Sequence, residues 1–327
     1  MEIISHYLDN KEYMKELSDL SEMIFHFRMD DWQKKGILGK NYHPFSVIED
    51  GKLVANVTAN TYDALIGKRK VLLVQLGTIM THPDYRGKGY IKKLMGRVLN
   101  EYSNAAFVFL YANEEAVAMY PKFGFILCAE KQYCYSLSAL DAMAGKSDFR
   151  PLDLSKKKNR DILRQYANQR IAISNQFSLL GDASPRLIHM EEECFTKSVY
   201  VSDALGALIV LTTSSSDKKT IRLNMVCFKD AIVCEDEYSK RMNPILASIP
   251  ALVSNDQITN LEVCFSHESS APLVSTDGLA HDGEPLFIRA NVPLLMPGMK
   301  VIFSVRPSDM DPLDLRGFRL SCLDYTK

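Results

Sequence analysis

The sequence has almost no net charge. Its 39 Lys+Arg stand against 40 Asp+Glu, a formal charge of −1. With no excess positive field, nonspecific binding to nucleic acid or to an acidic membrane is not expected. Cysteine is scarce, with seven residues in 327, odd in number, scattered, and never spaced as CxxC. That argues against a disulfide scaffold and fits a reduced, cytoplasmic chain. The seven histidines show neither H-x3-H nor HExxH spacing, so no metal site is expected. No apolar run approaches the ~18 residues of a transmembrane helix. Residues 1–20 mix charged and apolar side chains and lack the h-region of a signal peptide.

What is present is ordinary globular material. Hydrophobic residues make up 46% and charged residues 24%, and the length suggests two domains at ~150 residues each. A helix is predicted over Lys11–Trp32, with Met14, Leu17, Leu20, Ile24 and Phe27 near one face. Strands Phe45–Ile48 and Leu53–Thr61 flank Asp50-Gly51, a tight-hairpin signal. Val71–Thr81 reads as a central strand stopped by Pro83. Lys88–Tyr102 is the clearest helix, with Ile91, Leu94, Met95, Val98, Leu99 and Tyr102 on one face. Strand Ala105–Ala112 and a short helix Glu114–Lys122 follow, and Phe125–Ala129 with Gln132–Leu137 reads as a closing hairpin. Residues 143–158 carry Gly145, Pro151 and a lysine run, Lys156–Lys158, and read as a solvated linker. The second half repeats the order: helix Asn159–Asn175, strands at Ser198–Ser202, Ala207–Thr213 and Ile221–Phe228, helix Tyr238–Leu252, then strands at Leu261–Ser266, Leu286–Ala290 and Val301–Val305. This order suggests a duplicated fold.

The most informative segment runs from Gln75 through the strand to Ile79-Met80-Thr81, then Arg86-Gly87-Lys88-Gly89-Tyr90-Ile91 at the start of a helix. Free backbone N–H groups and the positive end of the helix dipole converge there, an arrangement suited to phosphates. Gly87 and Gly89 let the backbone approach a ligand, and Arg86 and Lys88 add charge. No G-K-[ST] follows, so this is not a Walker loop. The third glycine and the ribose-binding acid of a dinucleotide fingerprint are missing too. About thirty residues on, Asn113-x-x-Ala116-x-x-x-Tyr120-x-x-x-Gly124-Phe125 follows the next strand.

Together these two segments resemble the GCN5-related N-acetyltransferase (GNAT) superfamily, over about Phe45 to Leu137. The resemblance implies a mixed α/β sheet with an acyl-CoA site. Arg86, Gly87, Lys88, Gly89, Tyr90 and Ile91 would offer N–H groups to the pyrophosphate. Ile79, Met80 and Thr81 would lie along the pantetheine, Asn113 would bond it, and Tyr120 would stand at the thioester sulfur. The family's small residue at the last loop position is Ile91 here. A large residue there, with the Y-x-x-F-G-[YF] pattern of Tyr120–Phe125, is similar to the enhanced-intracellular-survival (Eis-like) branch, which begins with two tandem folds of this kind. Its third, sterol-carrier-like domain does not fit in this length. The implied organisation is a GNAT domain over residues 1–142, a linker over 143–158 and a second, degenerate GNAT-like domain over 159–327.

The implied reaction moves an acetyl group from acetyl-CoA to an amine of a small molecule or peptide by direct attack in a ternary complex, with no metal. No cysteine lies at the thioester position to argue for an acyl-enzyme. Rival readings are a noncatalytic acyl-CoA sensor and an acyltransferase using an alcohol or a longer acyl chain. An amine near pKa ~10.4 is neutral in about one molecule per 10³ at pH 7, so a base or a depressed pKa is needed. A tyrosine near pKa ~10 is protonated and can donate to the leaving sulfur. Several family members carry a glutamate base where this chain has Gln75, which cannot take the proton. His82, Glu114, Glu115, a water chain and the C-terminal carboxylate of Lys327 stay open. Phe27, Asp30, Asp31, Trp32, Tyr42 and His43 are candidate walls for the acceptor. The second half's equivalent loop has no glycine and carries Glu235-Asp236-Glu237, which would repel a pyrophosphate. That half is left to shape the acceptor cleft, support the fold or form a homo-oligomer contact.

Overall fold

Asp50 and Gly51 both take positive φ, 51° and 74°, and join β2 (Tyr42–Glu49) to β3 (Lys52–Ile66) in a tight hairpin. The computed structural model describes residues 1–34, 38–66, 69–129, 133–168, 177–180, 198–213, 217–230, 235–264, 286–291 and 313–314. Before the hairpin come β1 (Glu2–Ser5), α1 (Lys11–Phe25) and α2 (Met29–Lys34). The single helix expected over Lys11–Trp32 is therefore two. His26, at φ 64°, caps α1 in the left-handed conformation. Arg28 then folds back onto Asp19, Glu22 and Asp30 and fixes the break.

β4 (Arg69–Thr81), α3 (Tyr90–Glu101), β5 (Phe107–Tyr111) and β6 (Ile126–Ala129) follow. Leu94, Met95 and Val98 of α3 pack with Phe45, Val47 and Val57 on one face of this sheet. Each such fully buried side chain is worth ~1.5–3 kcal/mol. The opposite face meets α1, α2 and residues of the second half, with Met14, Leu17 and Met80 in one cluster with Leu163, Val201 and Met225.

The second sheet is built from β7 (Tyr133–Ser136), β8 (Arg150–Pro151), β10 (Val199–Ser202), β11 (Ala207–Thr213), β12 (Thr220–Phe228) and β13 (Asn260–Val263). α4 (Leu137–Asp141), α5 (Lys157–Asn168) and α6 (Glu235–Ser248) accompany it. β9 (Phe177–Leu180) joins the far end of β3 in the first sheet. Each sheet carries an antiparallel run ending in a parallel pair, β4 with β5 and β12 with β13. Two mixed sheets of this kind make tandem folds.

The two halves exchange strands. The first sheet runs β1-β2-β3-β4-β5-β14-β6-β15, so β14 (Leu286–Ala290) of the second half lies between β5 and β6, with β15 (Leu313–Asp314) beyond. Reciprocally, β7 leaves the first half and pairs antiparallel with β13. The expected hairpin between β6 and β7 therefore does not form, and a cut after residue 142 does not separate the sheets. Burial explains the choice. Leu286, Phe287 and Ile288 are buried in succession, which suits a strand covered on both faces. Tyr133-Cys134-Tyr135-Ser136 alternates buried and half-buried, which suits the edge it occupies. The segment read as a linker also contributes structure. β8 edges the second sheet, and Phe149, Leu152 and Leu154 are buried. The strand expected at Val301–Val305 lies outside the described residues.

A fragment of residues 1–142 would bare the apolar edges of β5 and β6 and strand β7 without its partner. Expressed alone, it is expected to aggregate, and a soluble monomer with a cooperative unfolding transition would contradict the exchange. In the full chain, Phe287→Ala should lower stability by ~3–5 kcal/mol in denaturant titration.

Candidate active site

The opening begins where a parallel pair stops. β4 and β5 pair only from Leu73–Phe107 to Gln75–Phe109, yet β4 continues to Thr81. Beyond Gln75 no described residue pairs with the β4 edge that faced β5, the condition for an extended ligand to add as a strand. Between Gly77 and Met80 the register with β3 slips by one residue, a bulge in β4 that leaves Thr78 and Ile79 without partners on β3. Thr78 sits there at φ 41°. Ile79 and Thr81 are half-buried and Met80 is buried.

From Thr81 the chain enters a 3-10 turn, Pro83–Tyr85, capped by His82. It then passes through Gly87 (φ 79°) and Gly89 (φ 76°), the latter the N-cap of α3. Both conformations disfavour a side chain, and a Cβ at either glycine would meet nothing within 4 Å. The glycines thus serve backbone shape and an open approach, not packing. No side chain caps α3. Among the described residues the N–H groups of Gly87 to Lys92 have no acceptor. Arg86, Gly87, Lys88 and Gly89 are exposed, Ile91 is half-buried, and Tyr90 is buried with its hydroxyl bonded to the Glu49 carboxylate. Lys88 lies over the Tyr85 ring at 4.5 Å and 3.4 Å from Glu49 Oε1. This cradle of N–H groups suits an anion and has one carboxylate at its edge. Sequence reasoning missed Glu49, because the hairpin that delivers it is remote in the chain.

After β5, Asn113 Oδ1 accepts the Ala116 N–H at 3.1 Å, which leaves its Nδ2 to donate elsewhere. The expected short helix is two 3-10 turns, Glu114–Ala116 and Tyr120–Phe123, the second ended by Gly124 at φ 81°. Tyr120 is 4% exposed. Its ring lies 6.2 Å from Phe125 and 5.5 Å from Phe287, so the exchanged strand braces it. Burial pushes its phenol up to about 12. Among the described residues, the sealed side-chain polar atoms without a partner are Asn60 Nδ2 and Tyr166 Oη.

Residues 9–128 match the family described as acetyltransferase (GNAT) domain. This part of the chain is a GNAT-type N-acetyltransferase domain. The fold is similar, over 89% of the chain, to three solved structures. One is a conserved protein from Enterococcus faecalis V583 described as a probable N-acyltransferase, at TM-score 0.59 and 12% identity over 72% of that chain. Another is a GCN5-related N-acetyltransferase from Anabaena variabilis, at TM-score 0.54 and 13% identity over 73% of that chain. The third is Eis1 from Mycobacterium abscessus, at TM-score 0.53 and 12% identity over 74% of that chain. No match is found among curated proteins.

In the GNAT domain, Gln75 is buried and its Oε1 accepts the Tyr62 hydroxyl at 2.9 Å, a structural use of that position. His82 accepts the Asp84 N–H through Nδ1 at 3.3 Å, which places the neutral ring's proton on Nε2 and occupies its basic nitrogen. Glu115 is exposed. Lys327 and the Glu114 side chain lie outside the described residues. Of the expected acceptor walls, Phe27, Trp32 and Tyr42 share one apolar cluster, while His43 turns away from it. Phe27 and Trp32 stack at 4.7 Å. Burial pushes the Asp30 carboxyl up, but hydrogen bonds from Arg28 and Lys34 hold it down at about 2. Tyr42 is buried and bonded to Thr58. His43 turns to His6 and Tyr102 instead, because adjacent strand residues face opposite ways. The Asp31 side chain lies outside the described residues. In the second half, the Arg241 guanidinium covers the Phe228 ring at 4.1 Å and donates to the Asp230 carbonyl, filling the ground at the end of β12.

Glu49→Gln keeps an acceptor for Tyr90 and removes the negative charge beside the cradle, so calorimetry should find CoA bound more tightly, by roughly tenfold. Gly89→Glu adds backbone strain and a charge where an anion would sit, and should abolish binding. Unchanged affinity in both variants would remove the cradle from the site.

Proposed function

We propose that the protein transfers an acetyl group from acetyl-CoA to an amine of a small molecule or peptide, by direct attack in a ternary complex. The observation that carries this reading is the run of unpartnered N–H groups from Gly87 to Lys92, placed beyond the open edge of β4. In this reading the amides of Gly87, Lys88, Gly89, Tyr90 and Ile91 hold the pyrophosphate; the Arg86 N–H is taken by the Pro83 carbonyl at 3.3 Å, so Arg86 contributes its guanidinium. The main chain of Ile79, Met80 and Thr81 pairs with the pantetheine amides, and Asn113 Nδ2 donates to a pantetheine carbonyl. The glycine-bearing first unit binds the nucleotide, and the second unit, whose equivalent loop has no glycine, supplies β14. Bound acetyl-CoA supplies an activated thioester.

Tyr120 holds the proton that the leaving sulfur needs. As the amine nitrogen bonds to the carbonyl carbon and the C–S bond breaks, the Tyr120 hydroxyl donates to sulfur. The amine's surplus proton passes to solvent, and Tyr120 is reprotonated in turn. Burial suits this role, because it holds the phenol in its neutral, donating form. No described helix is long and apolar enough to cross a membrane, and Cys134, Cys227 and Cys264 carry thiols. A reducing compartment that holds CoA, the cytoplasm, fits both.

The test is thiol release from acetyl-CoA with a panel of amines. Tyr120→Phe keeps the ring and removes the hydroxyl, so kcat should fall by about 10²–10⁴ with CoA affinity little changed. With the phenol at about 12, the wild type keeps its donor as pH rises, and the ratio of the two rates should stay level from about pH 7 to 10. A variant within about threefold of wild type would make Tyr120 a packing residue and favour a noncatalytic sensor.

A further inference from the structure

Thr78 is a β-branched residue at φ 41°, buried inside a strand. Such side chains avoid the left-handed region, and one held there persists only when its surroundings over-determine it. Here the surroundings are a chain of side-chain hydrogen bonds. Asn56 Nδ2 donates to the Thr78 carbonyl at 2.9 Å and to Thr58 Oγ1 at 3.0 Å. The Thr78 hydroxyl donates to Thr58 Oγ1 at 2.6 Å, and Thr58 Oγ1 donates to the Tyr42 hydroxyl at 3.2 Å. Behind Asn56, its Oδ1 accepts from Ser46 Oγ at 2.9 Å, and Ser46 accepts from the Tyr7 hydroxyl at 2.5 Å. All six residues are buried. Thr58 Oγ1 accepts two bonds and donates one, the full complement of a hydroxyl, so the network runs in one consistent direction.

An apolar row on β3 would hold an ordinary ladder at lower desolvation cost. The polar row instead grips the one bulged residue of β4, three positions beyond the last β4–β5 pair. We propose that Asn56 and Thr58 are positioning residues for acyl transfer. They clamp Thr78 in the left-handed conformation so that the bulge at Thr78–Ile79 turns its backbone N–H groups toward the thioester carbonyl in the opening between β4 and β5. The inference rests on the acetyl-CoA reading above and adds a task to residues far from the pyrophosphate loop. As charge builds on the carbonyl oxygen during attack, N–H groups already aimed at it need no reorganisation.

The experiment compares the wild type, Asn56→Leu and the double variant Asn56→Leu/Thr78→Gly. Calorimetry gives affinities for CoA and for acetyl-CoA, and thiol release gives kcat, with folding checked by circular dichroism. Asn56→Leu should leave the CoA affinity within about threefold of wild type, since the loop amides carry it. It should erase any gain in affinity that the acetyl group confers, and lower kcat by roughly 10- to 10³-fold. Glycine takes positive φ without a clamp, so the double variant should recover kcat to within about threefold of wild type. A role in packing alone predicts no such rescue. A folded double variant as slow as Asn56→Leu would overturn the clamp, as would an Asn56→Leu enzyme of unchanged kcat. If Asn56→Leu does not fold, Thr58→Val replaces it; Thr78→Gly should rescue that variant too, and a failure to do so would overturn the clamp in the same way. A wild type that does not bind CoA overturns the underlying reading and the clamp together; CoA binding without rescue overturns the clamp only.

Discussion

The site depends on a parallel pairing that ends too soon. Backbone N–H and C=O groups in a sheet interior demand partners, and β4 loses its partner on one side at Gln75 while running on for six more residues. Everything that follows is arranged around that deficit. The bulge at Thr78 bends the unpaired stretch, the glycine turn carries it to an uncapped helix, and Tyr120 sits on the diverging side after β5. The sheet tolerates the gap because β14 secures the other edge of β5 through five register pairs.

That security comes from the other half of the chain. Phe287 is 1% exposed, packs in the α3-side core and touches Tyr120. Nearby, Asn291 bonds the Tyr102 carbonyl and the Ala106 carbonyl, tying the end of β14 to the α3–β5 connection. The second half, whose equivalent loop has no glycine, is thereby part of the wall behind Tyr120.

The local elements of the first half were readable because their signals are local. The 3.6-residue period of α3, the Asp50-Gly51 turn and the loop glycines each act within a few residues, and the GNAT resemblance rests on them. What could not be read depends on partners far away in sequence. Nothing near Cys128 or Tyr133 says that β6 and β7 part company; the difference lies in the three consecutive buried residues of a strand some 150 positions later. The break at His26 is different, since Arg28 reaches three carboxylates only two to nine positions away; which of the local charges it would choose is what the helical period does not show. Asn56, Thr58 and Asn60 alternate as polar residues in an apolar strand, a pattern the sequence reading passed over, and which residue they hold is decided by the register with β4. The alternation along β2 likewise turns His43 away from the cluster that Tyr42 shares with Phe27 and Trp32.

The strand exchange also sets a clock on synthesis. Leu286 pairs with Tyr111, so the ribosome must add roughly 180 residues after β5 appears before the strand that covers it exists. At about 5–20 residues per second this takes on the order of 10–40 s. Throughout that interval the nascent first half presents a bare sheet edge, and the completed fold has a high contact order. Exposure to chaperones during translation is thus written into the connectivity itself, and a strand made late decides when an early one can settle.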